Sequence, residues 1–162
     1  MSWAPVLGAG IAAFAALIGY LSTYRTKRMD QKAEVYAKAV AAVSAYKHLP
    51  YRIRRRAAES TEIRNELGKL SSDVHQELTY YRSLLALDSE LVATAYEKLV
   101  KAVYEKGKEH RDEAWKSPPA TSDSHMTQIG TYDGGGREEL QKCLNAMRQE
   151  LGKAPIQHKP RR

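Results

Sequence analysis

Cys143 is the only cysteine in the chain. That excludes an intramolecular disulfide and any cysteine-based zinc cluster, and it suits a reducing cytoplasm. No run of alternating apolar and polar residues marks a strand. Catalytic constellations are missing as well. His48, His75, His110, His125 and His158 are scattered, without an HExxH or ExxH pair or a Cys/His spacing suited to zinc. His75 has Asp73 and Glu77 close in sequence, but helix residues two apart point in different directions. Gly134-Gly135-Gly136 precedes no GK[ST] and follows no strand, so it reads as the end of a linker rather than a phosphate loop. The sequence therefore predicts no enzyme, no cofactor, no metal site and no small-molecule substrate.

Charge is absent where it matters most. No charged side chain occurs from Val6 to Tyr24, and Arg25, Lys27, Arg28 and Lys32 follow closely. A helix of about 20 apolar residues spans a bilayer core of about 30 Å. Trp3 lies at one end and Tyr20 and Tyr24 at the other, where interfacial aromatics are expected, and Trp3 to Tyr24 is about 31 Å along a helix. Pro5 suits a first helical turn, where its missing N–H costs nothing. Residues 1–24 thus predict a single transmembrane anchor and a lipid-bilayer partner. The positive-inside rule puts the N-terminus outside and the remainder in the cytoplasm, at the cell membrane. A cleaved secretory signal would need a basic n-region, which Met1-Ser2-Trp3-Ala4 lacks, although Ala13-Phe14-Ala15 faintly resembles a cleavage site. A buried core helix is the other alternative, and an uncharged stretch this long with aromatic flanks argues against it.

Small residues recur along the same stretch. Gly8, Ala12 and Ala16 fall every fourth position, and Ala15 with Gly19 repeats the spacing on a neighbouring face. Such patterns let helices approach closely in lipid, so these residues are the expected helix–helix contact; alanine-rich composition alone would produce the same spacing.

The rest of the 162-residue chain, which carries a net charge of +7, is rich in helix formers. Val35, Ala39, Ala42, Tyr46, Leu49 and Ile53 mark one stripe, and Ile63, Leu67, Leu70, Val74, Leu78, Tyr81 and Leu85 a second. Leu91, Ala95, Leu99 and Ala102 mark a third, widened by Tyr96, Val100 and Val103. Steps of three and four predict helices packed through a narrow seam. Ser60 before Glu62 and Ser89 before Glu90 read as N-caps, the first segment ending near Ala58. Leu87 and Leu91 are placed to pack across the second cap. The predicted architecture is all-α: the anchor, an antiparallel cytoplasmic bundle of about three helices over 25–116, and a flexible linker over 117–136. A separate amphipathic helix follows over 137–152, then a basic tail over 153–162. The apolar face of that last helix, Leu140, Leu144, Met147 and Leu151, is a candidate contact for the bundle, a second subunit or another protein.

Pro50 sits inside the first seam, which continues across it from Leu49 to Ile53. Proline costs about 3 kcal/mol in a helix interior, so either a kink or a break is expected, and the unbroken spacing favours the kink. A helix from Arg25 to Pro50 is about 37 Å long. Arg52, Arg54, Arg55 and Arg56 would then lie beyond reach of the chain's own bilayer charge, which fades within about 10 Å. They form a candidate patch for an acidic partner, or a solvated face paired with Glu59 and Glu62. Tyr51 beside them could stack on a base, but no nucleic-acid motif accompanies it, and nucleic acid is not the expected partner.

The uncharged N-terminal span, its basic stop, and the segments KAEVYAKAVAAVSAYKHL and SLLALDSELVATAYEKLVKAV resemble a loose group of small single-pass membrane proteins. Their hosts are high-GC Gram-positive bacteria and their prophages. The likeness covers roughly residues 5–105 and implies an anchor with a cytoplasmic helical bundle, without implying an activity. Pro50 and the C-terminal helical segment depart from that pattern. Two functions follow as expectations. The first is a membrane-anchored interaction or scaffold module that assembles with itself or recruits a cytoplasmic partner. The second is an oligomerising membrane effector, holin-like or of the phage-defence or superinfection-exclusion type.

Overall fold

A computed structural model describes residues 4–120, 135–154 and 156, with side chains described from Ser22 onward. Four helices are present: α1, Ala4–Arg54; α2, Thr61–Asp88; α3, Glu90–Lys116; and α4, Arg137–Glu150. No strand occurs among the described residues, so the chain is all-α. None of the helices searched among the described residues is long and apolar enough to cross a membrane. The side chains of Val6 to Leu21, and with them the contact residues Gly8, Ala12, Ala15, Ala16 and Gly19, lie outside the described residues.

The chain divides into two compact units, Met1–Val35 and Tyr36–Arg162. The first contains the N-terminal part of α1, in which Thr26 donates its hydroxyl proton to the Ser22 carbonyl at 3.0 Å. The second is a helical bundle, and its order follows from its contacts. Tyr36 donates to Asp88 at the end of α2 (2.6 Å), and Tyr96 donates to the Ala39 carbonyl (3.2 Å). Arg56, just past α1, reaches the end of α3. Tyr36–Arg54 therefore runs alongside α3 in the same sense, with α2 antiparallel to both. Gly136, at the start of α4, lies against Val103 and Leu99, while Glu150 at its end accepts from the Ser89 hydroxyl (2.9 Å). The order is up-down-up-down, and α4 is the fourth member of the bundle rather than a separate helix.

The caps are chemical. Ser60 and Ser89 are both in extended conformation, and their hydroxyls accept from the backbone N–H of Ile63 and Val92, three residues on. In the first seam, Ala39, Ala42, Tyr46, Leu49 and Ile53 are buried, joined by Tyr36 and Val43. The helix continues through Pro50 and ends at Arg54, four residues short of the expected Ala58. The α3 seam is rotated by about one residue from the expected stripe. Val92, Tyr96, Leu99 and Val103 form the core, whereas Leu91 is 45% exposed. Leu87 is 88% exposed, so the expected packing of Leu87 on Leu91 does not bury either residue. Tyr96 explains the rotation: its ring is fully buried and its hydroxyl finds a carbonyl on α1, which fixes α3's azimuth. On α4 the buried residues are Cys143, Ala146 and Met147, with Leu140, Leu144 and Leu151 half-buried. That face packs on α3.

The segment read as a linker is held at both described ends. Ala120 donates its N–H to the Arg56 carbonyl (3.0 Å), and Lys47 donates to the Gly135 carbonyl (3.1 Å). Residues 121–134 lie outside the described residues. Part of the basic tail folds back on α4: Arg148 donates to the Ala154 carbonyl (2.6 Å), and the Ile156 N–H to the Asn145 side-chain oxygen (3.0 Å).

Candidate functional site

The four arginines after Pro50 separate into two roles. Arg56 is 3% exposed and is not on a surface at all. Its guanidinium donates to the carbonyls of Ile53 (3.1 Å) and Ala114 (2.9 Å), and also to those of Trp115 and Ser117. Nε and Nη2 both bond Glu59, and the guanidinium lies 5.4 Å from the Trp115 ring centre. The last carbonyls of a helix have no intrahelical donor. Arg56 supplies donors to the ends of α1 and α3 together, so it locks them and is lost to any external partner. Glu59 bridges Arg56 and Arg64, and those hydrogen bonds, Arg64's first, hold its carboxyl below the usual range.

Arg54 is half-buried, whereas Arg52 and Arg55 are exposed. His48, also exposed, stands four residues before Arg52 on α1, and Arg55 is the first residue past the helix, its N–H still bonded to the Tyr51 carbonyl (3.1 Å). Together with Ala45 and Tyr51 they line a shallow open pocket. The Arg55 guanidinium lies over the Tyr51 ring, 4.7 Å from its centre. A stacked guanidinium is pre-oriented, and the ring face it covers is no longer a platform for a base. Arg52 forms no ion pair among the described residues. His48 joins this site through helical spacing, which the sequence carries; the withdrawal of Arg56 depends on contacts with residues 114–117, which it does not.

Two other places compete as sites. An open groove between α3 and α4 has a floor of Leu91, Ala95, Ala102 and Ala146. Its rim alternates Lys98, Lys101 and Lys142 with Glu90, Glu105 and Glu139, so it favours neither sign of ligand. The second is an aromatic cluster of buried Tyr46, half-buried His75 and exposed Tyr104. Tyr46 stacks on Tyr104 (centroids 5.6 Å apart), and the His75 ring meets both edge-on. His75 Nδ1 donates to the Ser71 carbonyl at 2.6 Å. The imidazole lies against Tyr46 and Tyr104, and no group able to hold a metal ion occurs among the described residues.

Cys143 is fully buried on α4, and burial pushes its thiol up from 9.0 to about 12. It is therefore poorly placed to cross-link copies. Compared with known proteins, the chain matches no family model, and no curated protein or solved structure is significantly similar to it.

Proposed function

We propose that this protein is a membrane-anchored helical interaction module. The first part of α1 crosses the bilayer once with the N-terminus outside, and the bundle works at the cytoplasmic face, assembling with itself or recruiting a protein. One observation carries this reading: Val6 to Tyr24 lacks any charge, and a cationic stop follows immediately. Two features of the fold support it. The uncharged stretch belongs to α1, and among the described residues the buried core begins only at Tyr36. The likeness to small single-pass proteins of high-GC Gram-positive bacteria points the same way. Recognition through exposed side chains is what the bundle offers.

The test is extraction. Expressed at low level in a bacterium, the full chain should sediment with membranes and stay there through an alkaline carbonate wash, leaving only on addition of detergent. Release by carbonate, or recovery in the high-speed supernatant, overturns the reading.

A further inference from the structure

We infer that the groove between α3 and α4 docks a second copy of this chain, the two copies related by a two-fold axis along the helices. The inference rests on the interaction-module reading and selects self-assembly within it. The argument begins with α3, which carries two seams. Val92, Tyr96, Leu99 and Val103 face the bundle and are buried. Leu91, Ala95, Lys98 and Ala102, each one residue earlier, repeat the steps of four, three and four on a face turned by about 100°. That second seam lines the groove, where Leu91 is exposed and Ala95 and Ala102 are half-buried. Such spacing is what helix pairing uses, and a lysine at one seam position sets the register through the acid it must meet.

The rim selects the occupant. Three lysines and three glutamates balance there, on a chain whose net charge is +7. A partner of one sign would be attracted by half of such a rim and repelled by the rest. A second copy brings the same balance, and the axis then decides which charges meet. Lys98, Lys101 and Glu139 form no ion pair among the described residues. Gly136 lies against Leu99 and Val103, so Glu139, about 4.5 Å further along α4, is level with Lys98 and Lys101. An axis along the helices sets α3 opposite the second copy's α4. The second copy's Glu139 then falls between Lys98 and Lys101, and the symmetry makes this contact twice. An axis across the helices, centred on the groove, sets α3 against α3 instead. It brings the two Lys98 side chains together and Glu90 near the second copy's Glu105, like charge on like. The groove is open, so its contact alone is weak; two copies anchored in one bilayer meet at a raised effective concentration.

Full chains bearing a donor or an acceptor dye at the C-terminus are reconstituted in phosphatidylcholine vesicles, and energy transfer is followed as lipid is added. Four preparations are compared: the unaltered chain, Glu139→Lys, Lys98→Glu/Lys101→Glu, and an equal mixture of the two variants. Each variant alone should associate about tenfold more weakly than the unaltered chain, because like charges then face each other. The mixture should regain transfer between unlike copies, since each supplies the charge that the other lacks at both contacts. Net charge does not explain that recovery, because both variants remain net positive. Leu91→Gln alters no charge and should also weaken transfer; far-ultraviolet circular dichroism checks folding, and this form serves where a charge reversal unfolds. Unchanged transfer in every variant would put the self-contact elsewhere, in the spans for example. Loss without recovery in the mixture would remove the proposed axis, and no transfer in the unaltered chain would remove the self-contact. Each of these overturns the inference while leaving the membrane module intact; a chain that washes off membranes with carbonate overturns the module instead.

Discussion

Arg56 shows how far one residue's role can differ from that of its neighbours. In sequence it is the last of four similar arginines; in the fold its donors are divided among four carbonyls and one carboxylate. Removing a buried donor leaves those acceptors desolvated and unpaired, at about 1–3 kcal/mol for each group that water cannot reach. Arg56→Ala should therefore lower stability by at least about 2 kcal/mol, because its bonds to the Ile53 and Ala114 carbonyls are buried. Arg56→Lys should recover only part, because an ammonium cannot match a planar fork. Arg52→Ala should shift stability by less than about 0.5 kcal/mol, as expected of an exposed side chain. Urea titrations of the three variants in one detergent check the order, and equal midpoints for Arg56→Ala and Arg52→Ala would refute the lock. Nothing in the local pattern around Arg56 distinguishes it, because its partners on α3 lie some 58–61 residues away.

Among elements, α1, α2 and α3 are readable from the sequence because caps and seams are local signals. Ser60 and Ser89 start their helices by a contact three residues long, and the stripe from Ala39 to Ile53 needs only helical period to be seen. The azimuth of α3 and the docking of α4 are not local. Both depend on which neighbour a buried group finds: Tyr96 on α1 in one case, the glycines before α4 in the other. Gly135 and Gly136 have φ of 65° and 69°, the left-handed region that glycine adopts freely. A Cβ on Gly136 would sit 2.9 Å from Val103 Cγ2, so this turn is shaped to bring α4 onto α3. Gly136→Ala should cost about 1–3 kcal/mol of strain and loosen α4. Cys143 reports it, since a buried thiol raised to about 12 is nearly inert to alkylation at pH 8. The variant should label at least tenfold faster than the unaltered chain under native conditions. A group whose pKa is raised by folding stabilises fully below its unfolded value and loses that stabilisation as pH rises. Docking of α4 should hence weaken from about pH 9 upward, with labelling accelerating beyond the thiol's own titration. Unchanged labelling in Gly136→Ala would mean that the turn does not hold α4.

For the molecule as a whole, the division between Val35 and Tyr36 separates two kinds of information. The bundle's fold is encoded in periodicity and confirmed by burial, whereas the anchor is proposed from the absence of charge and the position of the basic stop. On the proposed reading, that same composition favours a tether over a membrane-disrupting effector. A conducting pathway through hydrocarbon needs side chains or backbone that hold water or ions. From Gly8 to Gly19 the chain offers only Gly, Ala, Ile, Leu and Phe, and hydroxyls appear at Tyr20, Ser22, Thr23 and Tyr24, near the end of the stretch. Helices of this composition can approach closely through their small residues, yet they would enclose a dry seam. Induced in a bacterium carrying a potential-sensitive dye, the full chain should leave the membrane potential unchanged while accumulating in the membrane fraction. Gly8→Leu/Ala12→Leu should reduce self-crosslinking through an introduced surface cysteine without altering that potential. Collapse of the potential on induction, relieved by the same substitutions, would reverse the assignment and make the bundle a regulator of a lytic assembly.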